Sequence, residues 1–267
     1  MPNPDLTDPA LILAADGRIA TITFNRPAQL NALNVAMAEA FEAAVTQLAD
    51  KPDLRVIVLR GAGRGFMAGG DLGQIQRAMT EGPALVDAIM QPLHRALVRL
   101  TEMPQPVIAA LHGPVAGAGM SVAMAADLAI AADDAKFTLA YARIGASIDG
   151  SGSYHLPRLV GLRKALEIAL LADTVDAAEA QRLGLVNFVV PAGELAERTA
   201  ALAGRLEVGP TLAYGRIKRL LRDSLGRGLP GQLEAERAAF HASLATEDFA
   251  EGVAAFLGKR KANYVGR

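Results

Sequence analysis

One pattern restricts the possible folds of this chain more than any other: a short apolar strand, a glycine-rich loop and a helix follow each other twice. The first copy runs from a strand at residues 54–60 (LRVIVLR) through the loop GAGRGFMAGGDL into a helix near Asp71. The second runs from a strand at residues 106–111 through HGPVAGAG into a helix at residues 117–126. Ligands bind at the carboxyl ends of the strands in open α/β folds. The repeat therefore predicts an α/β core whose binding site is formed by the two loops.

The segments around this repeat complete the predicted order of elements. Asp16-Gly17 is typical of a two-residue hairpin turn. The other predicted elements are strands at residues 11–15, 18–24, 127–131 and 136–138, and helices at residues 31–49 and 83–101. No strand pattern follows Val190, and the rest of the chain is predicted to be helical. We therefore expect residues 1–190 to form the α/β core and residues 191–267 to form a helical region that packs on another subunit.

Composition excludes several classes of function. The 267 residues include 28 acidic and 27 basic side chains, and this balance gives no net field that would attract nucleic acid or an acidic membrane. The chain has no cysteine, which excludes disulfides, thiol catalysis and cysteine-bound zinc. None of the four histidines, His94, His112, His155 and His241, shares the short spacing of a zinc-binding helix. We therefore expect no metal site and no nucleic-acid partner.

Neither an export signal nor a membrane span is expected. The first ten residues, MPNPDLTDPA, contain three prolines and two aspartates, unlike the basic and apolar parts of a signal peptide. The longest apolar stretch, residues 115–130, is interrupted by Ser121 and Asp127 and falls short of the roughly 18–20 residues that span a bilayer. The sequence therefore predicts a cytoplasmic protein.

Both glycine loops place small residues directly before a helix. The first ends with AGGD at residues 68–71 and the second with AGAG at residues 116–119. The first N–H groups of a helix lack intrahelical acceptors and carry a partial positive charge. Two such groups converging on one point would form an oxyanion hole, in which a single donor lowers the barrier by about 3–4 kcal/mol. The alternative is that the glycines only permit tight turns and close helix packing.

Several motifs occur in a characteristic order over nearly the whole chain. They are NRP at residues 25–27 with NAL at 31–33, FMAGGDL at 66–72, PVIAA at 106–110 with HGPVAGAG at 112–119, LPRLVG at 156–161, AAEA at 177–180 with GLV at 184–186, and EGV at 251–253 with Lys259-Arg260. With these motifs the chain resembles the crotonase (enoyl-CoA hydratase/isomerase) superfamily. The resemblance implies a ββα spiral core with a helical C-terminal region, usually assembled as a trimer or a dimer of trimers. It also implies an acyl-CoA thioester substrate and an enolate-like intermediate.

The resemblance also assigns individual residues to the thioester substrate. The two oxyanion amides of the family correspond to Gly70 and Ala118, the latter an alanine where glycine is more usual. The residues assigned to the coenzyme A moiety are Arg26, Ala68, Leu72, Lys259 and Arg260. Coenzyme A enters as part of the substrate, so no separate cofactor is expected.

The positions that carry the chemistry differ from those of the hydratase branch. That branch adds water across a double bond with two glutamates, and the corresponding residues here are Ser121 and Tyr141. Neither can act as a carboxylate base, so efficient hydration is not expected. Asp149 occupies a position where dienoyl-CoA isomerases and the 4-chlorobenzoyl-CoA dehalogenase carry an aspartate. It can shuttle a proton between carbons or attack carbon directly, unless it only caps the helix that follows.

Two further side chains are candidates for the same site. His94 corresponds to the base histidine of the dehalogenase, although a histidine on a long helix is often simply exposed or part of the core. The Tyr141 hydroxyl can orient water or donate a hydrogen bond. A basic stretch, YGRIKRLLRDS at residues 214–224, is expected to be a solvated helix face.

Together these features favour an enzyme that isomerises the double bond of an enoyl-CoA. The catalytic candidates are Gly70, Ala118, Asp149, Tyr141 and His94. One alternative is an acyl-CoA hydrolase or dehalogenase with Asp149 as the nucleophile, and another is a non-catalytic relative that binds coenzyme A or RNA. We expect a homotrimer or a homohexamer.

Overall fold

The computed structural model of the protein describes residues 9–267. The first eight residues, which carry most of the segment used to predict the absence of an export signal, lie outside the described residues. Within residues 9–267, no helix combines the length and the apolar character that crossing a bilayer requires.

Strands and helices alternate through the first two thirds of the chain, and helices alone follow. The strands are β1 (Leu11–Asp16), β2 (Ile19–Phe24), β3 (Val56–Gly61), β4 (Val107–Leu111), β5 (Pro114–Ala116), β6 (Leu128–Ala132), β7 (Lys136–Thr138), β8 (Val175–Asp176) and β9 (Phe188–Val190). The α-helices are α1 (Val35–Ala49), α2 (Leu72–Glu81), α3 (Ala84–Glu102), α4 (Ala118–Ala125), α5 (Gly152–Val160), α6 (Leu162–Leu171), α7 (Ala177–Leu183), α8 (Leu195–Glu207), α9 (Thr211–Ser224), α10 (Leu229–Leu244) and α11 (Glu247–Leu257). Short 3₁₀ helices span Pro27–Gln29, Ala140–Ile144 and Ala192–Glu194.

Two sheets organise these strands. The larger has six strands in the order β1-β2-β3-β4-β6-β9, with β1 antiparallel to β2 and every other neighbouring pair parallel. The smaller has the order β5-β7-β8, in which β5 runs parallel and β8 antiparallel to β7. The predicted hairpin is confirmed, because Asp16 pairs with Ile19 across a turn whose glycine has a φ of 57°. The mixed α/β class is also confirmed.

Both faces of the larger sheet are covered, as parallel sheets require. Alternate residues of β3 point in opposite directions, so Ile57 and Leu59 join the main core, which includes the buried side chains of α1 and α3. Val58 and Ile108 lie in a second, smaller core together with Ala203 of α8. Helix α8 thus packs on the sheet directly, and the helical region begins as part of the α/β core.

The observed elements agree with most of the predicted ones; strands β8 and β9 and helices α6 and α7 were not predicted, and two expectations differ from the structure. The last strand ends at Val190, and the segment from α8 to α11 is helical, as expected. The loop HGPVAGAG, predicted to be irregular, contains strand β5, because Val115 pairs with Phe137 of β7. The basic stretch at residues 214–224 is not simply a solvated face, since Lys218 and Arg222 turn inward to Asp127. The division of the chain at residue 190 and the packing of residues 191–267 on another subunit stay predictions.

Candidate active site

The two glycine loops lie side by side. Met67 and Val115 form a parallel bridge between them. The N–H of Ala116 donates to the carbonyl of Met67 at 2.8 Å, and the N–H of Met67 donates to the carbonyl of Pro114 at 3.2 Å. A Cβ atom at Gly119 would lie 2.2 Å from the carbonyl oxygen of Met67, so only glycine permits this approach. The ends of β3 and β4 are therefore joined at the edge that the sequence predicted.

Each loop presents one free amide at this junction. On the first loop, Leu33 bonds to the groups on either side of Gly70: its N–H donates to the Gly69 carbonyl and its carbonyl accepts from Asp71. On the second loop, Ala118 is the first residue of α4. In the described part of the chain, no acceptor bonds the N–H of Gly70 or of Ala118. Two donors on adjoining loops are what an oxyanion hole requires.

A buried asparagine, Asn31, anchors the first loop. In the sequence it was recognised only as the first residue of the NAL motif. The Asn31 side-chain amide donates to the carbonyls of Ala62, Gly65 and Phe66 at 2.8–3.1 Å. Its carbonyl oxygen accepts the N–H of Arg26 at 2.8 Å. Asn31 is fully buried with a φ of 58°, a conformation that asparagine tolerates better than most residues. Its hydrogen bonds therefore hold in place the loop that carries Gly70.

Arg26, assigned by resemblance to the coenzyme A moiety, makes contacts inside the chain. Its guanidinium forms an ion pair with Asp71 at 3.1 Å and donates to the carbonyl of Ala32. Asp71 also caps α2 by accepting the N–H of Gln74. The pair therefore links the segment before α1 to the start of α2, and a contact between Arg26 and coenzyme A stays a prediction.

The other residues assigned to coenzyme A occupy two separate places. Ala68 and Leu72 flank the Gly70 amide, and the side chain of Leu72 is exposed. Arg260 forms an ion pair with Glu251 within the C-terminal segment. Inside residues 9–267, no hydrogen bond joins Lys259 or Arg260 to either glycine loop. Ala68 and Leu72 thus lie next to the free Gly70 amide, and a contact of any of these four residues with coenzyme A stays a prediction.

Three polar side chains come together beside α4, about one helical turn after the N–H of Ala118. The Tyr141 hydroxyl, from the 3₁₀ helix Ala140–Ile144, donates to a carboxylate oxygen of Asp149. The Ser121 hydroxyl donates to the main-chain carbonyl of Asp149 at 2.9 Å and lies 3.4 Å from the Tyr141 oxygen. Ser121 lies on α4, the helix that Ala118 begins. The predicted grouping of Tyr141 with Asp149 is therefore observed, with Ser121 as an unforeseen third member.

Burial dominates the electrostatics of this cluster. It raises the pKa of Asp149, while the hydrogen bond from Tyr141 and the charge of His94 lower it in part. Burial and the neighbouring Asp149 charge raise the pKa of Tyr141, so the phenol remains a hydrogen-bond donor at neutral pH. A carboxyl group with a raised pKa can give and take protons more readily near neutrality than an exposed one.

The capping role considered for Asp149 is wrong. The residue before α5 is Ser151, and no side chain caps that helix. The Asp149 main-chain carbonyl accepts the N–H of Gly152, but its carboxylate is directed to Tyr141. The carboxylate is therefore not needed to start the helix.

His94 lies at the margin of this cluster. It is exposed on α3 and lines a cavity of about 880 Å³ together with Ser151 and Arg219. In the described residues no hydrogen bond joins His94 to Asp149, although its charge acts on the Asp149 pKa. No group of three or more His, Asp or Glu side chains in residues 9–267 is arranged to hold a metal ion.

Comparisons with known proteins match nearly the entire chain. A family model described as enoyl-CoA hydratase/isomerase matches residues 14–267. The "probable enoyl-CoA hydratase" of Rhodobacter capsulatus is 39% identical over 93% of this chain and 95% of its own length. The 1,2-epoxyphenylacetyl-CoA isomerase of Escherichia coli is 36% identical over the same shares. A crystal structure of an enoyl-CoA hydratase from Polaromonas sp. JS666 superposes with a TM-score of 0.91 at 34% identity, covering 95% of this chain and 99% of that one.

Proposed function

The chain belongs to the enoyl-CoA hydratase/isomerase family and has its crotonase fold, and from that premise we propose that it isomerises the double bond of an enoyl-CoA with Asp149 as the proton shuttle. Members of this family act on acyl-CoA thioesters, so the resemblance stated above is confirmed at the family level. The finer choice between isomerisation and other reactions rests on the cluster of Asp149, Tyr141 and Ser121.

The first element of the proposed mechanism is activation of the thioester carbonyl. Its oxygen accepts hydrogen bonds from the N–H groups of Gly70 and Ala118, which have no other acceptor in the described chain. Negative charge grows on that oxygen as a proton leaves the adjacent carbon, so the two bonds strengthen toward the transition state. The helix dipole of α4 adds positive potential at Ala118.

The second element is transfer of one proton between two carbons of the acyl chain. The Asp149 carboxylate removes a proton from one carbon, and the electron pair of that C–H bond is delocalised into the thioester enolate. The resulting carboxylic acid returns the proton to another carbon of the conjugated system, which moves the double bond and regenerates the carboxylate. No water, metal or resident cofactor takes part, and Tyr141 holds the carboxylate in place.

One observation carries the proposal: the carboxylate of the site is the half-buried Asp149, and the two positions that hold glutamates in hydratases are Ser121 and Tyr141. Both of those residues bond to Asp149 instead of supplying a base. The arrangement offers a single titratable carboxyl group, which suits a reaction that removes and returns one proton.

Deuterium incorporation tests this function. Wild type incubated with a medium-chain 3-enoyl-CoA in heavy water is expected to exchange deuterium at the α or γ carbon and to produce the 2-enoyl isomer. Asp149→Asn should slow both by at least about 100-fold, in the usual range for loss of a general base. Exchange that survives the substitution would exclude Asp149 as the shuttle.

A second candidate function is nucleophilic attack by Asp149. Attack on the thioester carbonyl would release the coenzyme A thiolate and form a mixed anhydride, and attack on a halogen-bearing ring carbon would release halide and form an aryl ester; water then hydrolyses either intermediate. The observation that favours it is His94, whose charge reaches Asp149 from the adjacent helix α3. A nucleophilic carboxylate would acquire solvent oxygen-18 during a single turnover with an aryl-CoA thioester. Mass spectrometry of the peptide that contains Asp149 distinguishes this from proton shuttling, which leaves the side chain unlabelled.

We also propose that the chain assembles as a homotrimer or homohexamer in the cytoplasm. Support comes from large apolar side chains that the last helices leave exposed, among them Leu221, Leu225, Leu233, Phe240 and Phe256. Exposed apolar patches of this kind mark protein interaction surfaces. Light scattering of the purified protein would give the number of subunits.

A further inference from the structure

One side chain of the cluster has no part in the chemistry proposed above. Ser121 is fully buried on α4, and its hydroxyl donates to the main-chain carbonyl of Asp149 at 2.9 Å. We propose that Ser121 is a positioning residue: it fixes the turn that carries Asp149 and, by the same close fit, excludes a carboxylate side chain from its own position. The catalytic part of this inference rests on the proposed role of Asp149 as the proton shuttle.

The turn after Asp149 packs against Ser121 without room for a side chain. A Cβ atom at Gly152 would lie 2.6 Å from the Ser121 hydroxyl oxygen, and one at Gly150 would lie 3.3 Å from the Ser121 Cβ. On its other side, the same Gly150 position would be 3.4 Å from a methyl carbon of Leu93 on α3. Gly150 also has a φ of 55°, which glycine adopts without strain. The turn is therefore held between α4 and α3.

Asp149 is thus held by hydrogen bonds to both its side chain and its main chain. Its carboxylate accepts the Tyr141 hydroxyl, and its main-chain carbonyl accepts the Ser121 hydroxyl and the Gly152 N–H. Because the Ser121 bond restrains the backbone, it limits the positions from which the carboxylate can reach Tyr141. Loss of this restraint should reduce catalysis without removing any group that touches the substrate.

Ser121 also links this carboxylate to the oxyanion amide. It lies three residues after Ala118 on the same helix, a rise of about 4.5 Å. One turn of α4 and the hydrogen bond from Ser121 therefore set the distance between the enolate oxygen and the residue that carries the shuttling carboxylate. A displacement of about 1 Å in such an arrangement can reduce a rate about 100-fold.

The same packing explains why position 121 cannot simply regain a hydratase glutamate. A glutamate side chain has three more heavy atoms than serine, and it would meet the main chain of Gly150 and Gly152, which have no side chains to move aside. Overpacking of a filled interior forces such backbone shifts. A carboxylate at position 121 and the observed Asp149 turn are thus mutually exclusive.

The first experiment removes the hydroxyl alone. Ser121→Ala is expected to lower kcat for deuterium exchange by about 10- to 100-fold while KM changes less than about twofold, since the substrate contacts remain. The acid limb of its pH–rate profile should move to higher pH, because a carboxylate freed from Tyr141 loses a bond that lowers its pKa. Thr199→Ala, which removes another buried hydroxyl on α8, is the control and should leave exchange unchanged.

The second experiment measures the contact without using activity. Gly152→Ala should lower Tm strongly in the presence of Ser121, because its new methyl group would lie 2.6 Å from the Ser121 hydroxyl oxygen and 2.8 Å from a methyl carbon of Ile148, and only the first contact disappears in Ser121→Ala. The same change in a Ser121→Ala background should cost clearly less, since contacting residues give non-additive effects. Ser121→Glu should abolish exchange and should also lower Tm, because the longer side chain forces the turn away from α4, and a Tm equal to that of wild type would contradict the exclusion.

The outcomes separate the two proposals. Additive effects of the Ser121 and Gly152 changes on Tm, or Ser121→Ala with wild-type kcat and pH profile, would overturn the positioning role. A Ser121→Glu protein as stable as wild type would overturn the exclusion. If wild type shows no exchange while the two changes still couple in Tm, the isomerase function fails and the packing of the turn on Ser121 stands.

Discussion

Asp149 illustrates how burial and two neighbouring side chains set the properties of one carboxyl group. Burial raises its pKa, and the Tyr141 hydroxyl and the His94 charge act in the opposite direction. A base must be ionised to accept a proton, so activity should fall as the pH drops through the pKa of Asp149. In the proposed mechanism, the hydrogen bond from Tyr141 therefore extends activity toward acid pH.

Replacing Tyr141 with phenylalanine tests this balance. Tyr141→Phe removes the hydrogen bond that lowers the pKa of Asp149, so that pKa should rise further. The acid limb of kcat/KM is then expected to move to higher pH, with about a tenfold lower rate where the carboxylate is ionised. Tyr154→Phe, at an exposed tyrosine of α5, is the control. An unshifted acid limb in Tyr141→Phe would contradict the role given to this bond.

The two glycine loops act as one element because each completes the hydrogen bonding of the other. Met67 of the first loop both donates to Pro114 and accepts from Ala116 of the second. The positions of the Gly70 and Ala118 amides are therefore coupled across about 50 residues of sequence. Backbone pairing of this kind is rigid, which suits donors that must be in place before charge develops.

A matched pair of glycine substitutions tests this coupling. Gly119→Ala places a Cβ 2.2 Å from the Met67 carbonyl oxygen, so it should push the loops apart and cost about 3 kcal/mol of unfolding free energy. Exchange activity should fall with it. Gly204→Ala, in the middle of α8 with no atom within 4 Å of the new methyl group, should instead stabilise by up to about 1 kcal/mol. Equal stabilities of the two variants, measured by denaturant unfolding, would refute the coupling.

The sequence predicted elements whose signal is local and missed contacts that folding creates. The hairpin at Asp16-Gly17 and the paired strand–loop–helix units follow from turn chemistry and periodicity. Strand β5 was missed because Gly113 and Gly117 flank it, so that the segment resembles a glycine loop, and only pairing with β7 identifies it. Asn31 and Ser121 were missed as anchors because their partners lie 28 to 35 residues away. The available sign of an anchoring role was that each is a polar residue within an otherwise apolar motif.

At the scale of the whole molecule, one half-buried carboxylate connects α9 to the core. Asp127 accepts Lys218 at 2.6 Å, Arg222 at 2.8 Å and the Val107 N–H at 2.8 Å. His155 of α5 lies beside this group, and burial together with Arg222 and Arg158 lowers its pKa to about 4. The junction of α5, α9 and the sheet therefore contains a histidine that is neutral at physiological pH.

This histidine should make stability depend on pH. Its pKa is about 4 in the folded protein and about 6.5 when unfolded, so between those values the unfolded chain binds more protons. Stability should then fall as pH decreases from about 6.5 to 4, on the order of 2 kcal/mol from this group after allowance for its partial exposure. His155→Gln should show a shallower loss than wild type in denaturant unfolding at a series of pH values. Parallel curves for the two proteins would contradict the assignment.

Both proposed oxyanion donors, at Gly70 and Ala118, are main-chain groups, and this has a consequence for the mutational tolerance of the site. Apart from proline, no amino acid at position 70 or 118 lacks the N–H that binds the thioester oxygen. The proposed reaction depends instead on a few side chains, Asp149 and its partners Tyr141 and Ser121. Substitution at position 70 or 118 thus leaves the hydrogen-bond donor in place, whereas substitution of one of these side chains changes the chemistry, so a chain built this way can acquire a new reaction while retaining its class of substrate.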